Sequence, residues 1–193
     1  MQDLNDSMRR IMGSYILLIV TLCAAAVAAT PVRGKYSNAR LAYEVNLPPG
    51  VVCMRAEPDH GCGFNVALRF AESDFKTDSL PARYMWVSGE RNTGDENTLE
   101  RAVQRAVTMG TAGRAGAVVL GRKSYMVNGL PAAEIDISYS SEDGEALEKV
   151  VILYRERKGA PNVIYTFGLH TPRKNEDDDV RLFHVFVSGF RVK

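Results

Sequence analysis

The 193-residue chain sets 24 lysines and arginines against 23 acids, a formal charge of +1, and is 46% hydrophobic. So even a balance leaves no basic footprint for nucleic acid. The apolar fraction is that of a chain with a core to bury.

The chain opens on a short positive stretch, Arg9-Arg10, followed by an apolar run from Ile11 to Ala29 that ends in small residues, with Ala26-Val27-Ala28 as an A-x-A site. This is the anatomy of a secretory leader removed as residues 1–28; an uncleaved anchor is the alternative. Cleavage leaves a single domain over 29–193, which is periplasmic or secreted, with no second hydrophobic run to hold it in a membrane. Two cysteines then remain, Cys53 and Cys62. In an oxidising compartment such a pair reads as a disulfide. A ten-residue loop closed this way gains about 2–3 kcal/mol by the chain-entropy model.

The flanks of that loop, "LAYEVNL" (Leu41 to Leu47) and "GFNVALRF" (Gly63 to Phe70), alternate apolar and polar residues. That predicts two half-buried strands joined as an N-terminal hairpin. Between them "PPGVVCMRAEPDHGC" is rich in turn formers,. Cys53, His60 and Cys62 with Asp59 or Glu57 would supply metal ligands, but nothing resembles a CxxC pair, and no metal is expected. Asp78 to Asn97 reads as a surface connection around a short apolar piece, Tyr84 to Val87, in which the single tryptophan, Trp86, reads as a core residue,.

"NTLERAVQRAVTMG" predicts a helix. Asn97 stands as N-cap with Glu100 three residues on. Leu99, Ala102, Val103, Ala106, Val107 and Met109 form the apolar face, Arg101 and Arg105 face water, and Gly110 and Gly113 mark the end,. A four-strand antiparallel meander follows. "AVVLGRKSYMV" turns at Asn128-Gly129 into "PAAEIDISYS", with Ala133, Ile135, Ile137 and Tyr139 on one face,. "LEKVVILYRER" and "NVIYTFGLHT" complete it,. The closing segment predicts a helix capped by Asn175, with Glu176 to Asp179 as a solvated acidic first turn and Val180, Phe183, Val187 and Phe190 facing the sheet,. The fold class is α+β: antiparallel sheet packed with two main helices.

Three stretches resemble PsbP-like domains: "YSNARLAYEVNLPPGV" their opening strand and Pro-Gly turn, "VNGLPAAEIDISY" their central hairpin, and "NVIYTFGLHTP" with "FHVFVSGFRV" their closing strand, helix and terminus. The resemblance spans roughly Tyr36 to Val192. It implies antiparallel sheet between helices and an assembly or binding role without a reaction.

No catalytic constellation stands out. "GAVVLGRKS" has the glycines of a P-loop, but Val118 to Leu120 read as strand,. Neither a G-x-S-x-G elbow nor an H-E-x-x-H pair occurs. No catalytic residue and no cofactor is expected, and the chain reads as a non-enzyme. Function then falls to exposed loops: Glu57, Asp59, His60, Arg91 and Asp95 are the candidate binding residues,. They would engage a protein partner in the cell envelope, in one form as an immunity protein neutralising a toxin. The alternative is an envelope accessory factor holding a lipid or peptide in a groove between sheet and helix.

Overall fold

The computed structural model describes residues 32–49, 51–56, 64–68, 83–92, 98–141 and 144–193. In chain order the elements are β1 (Val32–Arg33), β2 (Lys35–Asn38), β3 (Tyr43–Asn46), β4 (Val51–Ala56), β5 (Phe64–Leu68), β6 (Tyr84–Asn92), α1 (Leu99–Thr111), β7 (Val118–Val127), β8 (Leu130–Ser141), β9 (Gly144–Arg155), β10 (Asn162–Pro172), α2 (Glu176–Ser188) and β11 (Phe190–Val192). They form an eight-stranded antiparallel sheet, β1-β4-β5-β6-β10-β9-β8-β7, and a three-stranded one, β11-β3-β2. The fold is α+β, as the order of elements predicts.

The meander forms because its strands are long, alternating and joined by turns that suit them. Asn128 and Gly129 both take positive φ, 49° and 84°, which a two-residue hairpin turn of matching twist demands,. Alternation along β8 sends Ala133, Ile135 and Ile137 to one face, all fully buried. Along β10 it sends Val163, Tyr165, Phe167 and Leu169 to the other,.

Each face of the large sheet has its own cover. The face carrying Val163, Tyr165, Phe167 and Leu169 meets α2 and the three-stranded sheet in an aromatic core. Tyr43 packs edge-on against Tyr165 at 5.3 Å, and Phe167 against Phe186 and Phe190 at 5.2 and 5.5 Å. The Tyr165 hydroxyl donates to the Leu41 carbonyl at 2.9 Å, so the polar tip of a buried ring is satisfied,. The face carrying Ala133, Ile135 and Ile137 meets, among the described elements, α1, through Ala102 and Val103 against Ile135, Ile137, Val150 and Ile152. The helix sits close: a Cβ at Gly110 would stand 2.4 Å from the Ile137 Cδ1.

Several expectations shift. Leu41, Tyr43, Val45 and Leu47 are all buried as their alternation predicts. The strand they flank, however, pairs with β2 and β11, not with the Phe64–Leu68 strand. That second strand pairs with β4 and β6. Pro48 ends β3, since proline breaks a ladder. A turn bonded from the Val51 amide to the Pro48 carbonyl (3.0 Å) leads into β-branched Val51-Val52, which restart an extended chain as β4,. The stretch read as a turn-rich loop thus holds a strand.

The short piece around Trp86 is a nine-residue strand, β6, lying between β5 and β10. Thr98, not Asn97, caps α1, its hydroxyl accepting from the Arg101 amide at 3.2 Å. Asn175 stands at the N-cap of α2 without a capping side-chain bond. Phe190 lies beyond that helix, in β11. Asp179 is no solvated cap: it is buried, takes a fork of bonds from Arg83, and accepts from the Thr171 hydroxyl at 2.6 Å.

Candidate functional site

One helix cannot cover a sheet eight strands wide. The stripe of α1 rests on β8 and β9, and the floor made by β6 and β10 beside it stays open,. The result is a cleft of about 370 Å³ between α1 and the sheet. Strand register lays out its floor in rows. Trp86 lies opposite Gly168, Ser88 opposite Thr166, and Glu90 opposite Ile164. Val150 and Ile152 of β9 extend the rows. Ala102, Ala106 and Met109 of α1 form the facing wall.

Trp86 owes its pose to a glycine. A Cβ at Gly168 would stand 1.8, 1.9 and 2.2 Å from the Cζ2, Cη2 and Cε2 atoms of the indole. The ring therefore lies over bare backbone, and Trp86 is part of the cleft lining,. From there an aromatic run continues along the sheet. Tyr84 lies 5.6 Å from Trp86 and stacks on His170 at 5.1 Å. The Tyr139 hydroxyl is 2.5 Å from the His170 Nδ1, and the Arg114 guanidinium sits 4.3 Å over the Tyr139 ring,.

Two ion pairs join the helix side of the cleft to the sheet side: Arg105 with Glu90, and Arg114 with Glu148. Glu148 is buried, and that burial pushes its carboxyl above the usual range against the pull of Arg114,. Burial, with the neighbouring Glu148 charge, pushes the Tyr84 phenol up to about 12.

A second polar cluster lies on the opposite face, under α2. Lys149 is buried between Glu134, at 2.8 Å, and Asp136. The Tyr125 hydroxyl donates to Glu134 at 3.0 Å, and the His184 Nε2 stands 3.3 Å from the same carboxylate. Burial alone would raise the Glu134 carboxyl, but the Lys149 ammonium, aided by Tyr125 and His184, holds it below the usual range. A shallow hollow of about 690 Å³ lies beside it, lined by Tyr125, Met126, Asn128 and Val187 among others. Each buried charge here already has an opposite partner, which is the arrangement a buried ion pair needs to be tolerated at all.

Of the residues singled out from the sequence, Arg91 lies at the end of β6, in strand instead of loop, and donates to the Arg40 carbonyl at 3.1 Å. Cys53 lies in β4, opposite Val66 of β5 and Val32 of β1. Cys62, Glu57, Asp59, His60 and Asp95 fall outside the described residues, and the Cys53–Cys62 pairing with them. The cleft residues were missed, and Arg105, expected to face water, lines the cleft. The signal available was the alternation of Met85 and Val87, both fully buried, which puts Trp86 and Ser88 on the opposite face,. Among the described residues no group of three or more His, Cys, Asp or Glu side chains is placed to hold a metal ion. Among them, too, no helix is long and apolar enough to cross a membrane.

No protein-family model and no curated protein matches the chain. Solved structures do. The cyanobacterial PsbP protein CyanoP from Synechocystis sp. PCC 6803 superimposes with a TM-score of 0.56 at 16% identity, over 89% of this chain and 97% of its own. LpqN, involved in cell envelope biogenesis of Mycobacterium tuberculosis, gives 0.61 at 12% identity, over 85% and 90%. The Saccharomyces cerevisiae Ran-binding protein Mog1p gives 0.52 at 14% identity, over 84% and 96%. At such identities likeness speaks of fold alone. The fold of this chain is therefore PsbP-like, as the opening, hairpin and closing motifs of its sequence imply.

Proposed function

We propose that the chain is a binding protein without catalytic chemistry of its own, and that its ligand lies in the groove between α1 and the sheet, as a lipid, a peptide or another small molecule with an apolar face. The observation that carries this reading is the cleft itself, where Trp86 lines an open floor that α1 leaves uncovered,. The same reading includes export by removal of residues 1–28, a single domain over 29–193 and a Cys53–Cys62 bridge. An envelope accessory role follows from it, in line with the envelope role of LpqN.

Trp86 is the chain's single tryptophan, so the cleft carries its own fluorescent reporter. Native mass spectrometry of gently purified protein is expected to show a co-purifying species, and Ala106→Phe, which fills the cleft, is expected to remove it. Bare protein mass, together with Trp86 emission indifferent to added lipid, peptide and sugar, would refute the reading.

A protein partner is the second reading. The exposed Val118, Val119 and Leu120 favour it, because β7 is the outermost of the described strands of the large sheet and carries them at its edge,. Toxin-neutralising immunity, acting through the loop residues Glu57, Asp59, His60 and Asp95 with Arg91, is its specific form and rests on the sequence. Capture of one stoichiometric protein from periplasmic extract, lost in Leu120→Lys or in His60→Ala, would tell edge from loop.

A further inference from the structure

The charges of the cleft cancel. Arg105 and Arg114 stand on its helix side, Glu90 and Glu148 on its sheet side, and each arginine is paired with a glutamate. An anionic ligand would meet two carboxylates, and a cationic one two guanidiniums. Arginine offers only donors and a carboxylate only acceptors. A hydroxyl is both, so it can lie beside a contacting pair, accepting from a spare guanidinium N–H and donating to a spare carboxylate lone pair without displacing either partner. The floor adds two hydroxyls of its own, Ser88 and Thr166, opposite each other on β6 and β10. A hydrocarbon tail laid over these groups would strip them of water and return no hydrogen bond.

Next to this polar set lies the indole of Trp86, packed over the bare backbone of Gly168, with the apolar Ala106 and Met109 of α1 also lining the cleft. A ligand suited to both must carry an apolar face and a fringe of hydroxyls on the same small ring. We infer that the cleft binds a neutral sugar, a ring of which stacks on Trp86 while its hydroxyls bridge the Arg114–Glu148 and Arg105–Glu90 pairs. The volume of about 370 Å³ is at the small end of ligand sites and suits one or two rings,. This rests on the groove reading above and names the ligand's chemistry.

The test is calorimetry and Trp86 emission with maltose, cellobiose, lactose and N,N′-diacetylchitobiose, set against anionic maltobionate and cationic glucosamine. At least one neutral disaccharide is expected to bind saturably and shift the emission, with the charged comparators weaker by about tenfold or more. Arg114→Gln and Glu148→Gln are each expected to weaken that sugar about tenfold by calorimetry. Trp86→Ala should abolish its binding and Trp86→Phe, which keeps a ring, should retain part; circular dichroism shows whether each variant is folded. Silence with every neutral sugar up to roughly 10 mM, while an amphiphile or peptide moves Trp86, would overturn the sugar and leave the groove reading intact. Tighter binding of maltobionate than of maltose would overturn it as well. Silence with every ligand overturns both.

Discussion

Gly168→Ala asks whether the pose of Trp86 is set by the bare backbone beneath it. The added methyl would stand 1.8–2.2 Å from three indole carbons, where ordinary carbon contacts are about 3.5–4.0 Å,. The ring must lift by roughly 1.5–2 Å, or turn out of its rotamer, and overpacking of this kind costs about 1–3 kcal/mol. In a Trp86→Ala background the obstacle is gone, and alanine for glycine in a strand interior is then neutral or mildly stabilising. The two substitutions should therefore couple by about 1–3 kcal/mol in a double-mutant cycle read by urea denaturation. Circular dichroism must follow the unfolding, since the second background lacks the fluorophore. In the single variant Trp86 emission should shift to the red as the ring is pushed into water. Equal costs of Gly168→Ala in both backgrounds would refute the reasoning, because the strain would then come from something other than the indole.

The polar groups of the fold separate into those that must stay paired and those that need not. Lys149→Ala leaves Glu134 and Asp136 facing each other and should cost about 3 kcal/mol or more in urea denaturation, with most of it recovered when both acids are also made amides,. Asp179→Ala, which strands Arg83 and Thr171, should cost about 2–3 kcal/mol, and exposed Asp178→Ala less than about 0.5,. The pH dependence divides by sign. The lowered Glu134 carboxyl contributes stability present above the ordinary carboxylate pKa and lost as the pH falls through its folded value,. The raised Glu148 carboxyl works oppositely: the folded state holds its proton longer, so stability falls as the pH rises through that window,. Glu148→Gln should remove this decline when urea midpoints are compared from pH 4.5 to 7.

The meander and α1 were legible because periodicity fixes both the element and its buried face. Ala133, Ile135 and Ile137 could hardly be placed otherwise than on one side of a strand, and the structure buries all three. The partners of β3 were not legible. Alternation says which residues of a strand face a core, but not which sheet supplies that core, and Phe190–Val192 arrives to pair with β3 from the far end of the chain. Trp86 was misjudged for a related reason. A lone tryptophan in an apolar piece suits a core, and nothing local shows that its neighbour across the ladder is Gly168 or that the helix above stops short of it. Asp179 hid inside an acidic run whose other members need only the helix dipole to explain them,. Its burial depends on Arg83, 96 residues away.

Why the cleft lies on the α1 face and not under α2 follows from what each cover is made of. The α2 face is closed by a helix and a second sheet together, and their aromatic rings interlock: Tyr43, Tyr165, Phe167, Phe186 and Phe190 are all buried. A core of that density leaves no room for a ligand within it without repacking, and the shallow hollow on this face lies at its margin, between β7 and α2,. On the other face α1 presents small residues, Ala102, Ala106 and Gly110, which let it sit close to the strands it covers but lay no apolar cover over β6. Its long residues on that side are Arg105 and Met109; Arg105 pairs with Glu90 and Met109 stays exposed. A large apolar residue at position 106 would extend the α1 cover toward β6. The open floor therefore follows from the choice of small residues on α1, and refilling it from the helix side should cost binding before it costs the fold.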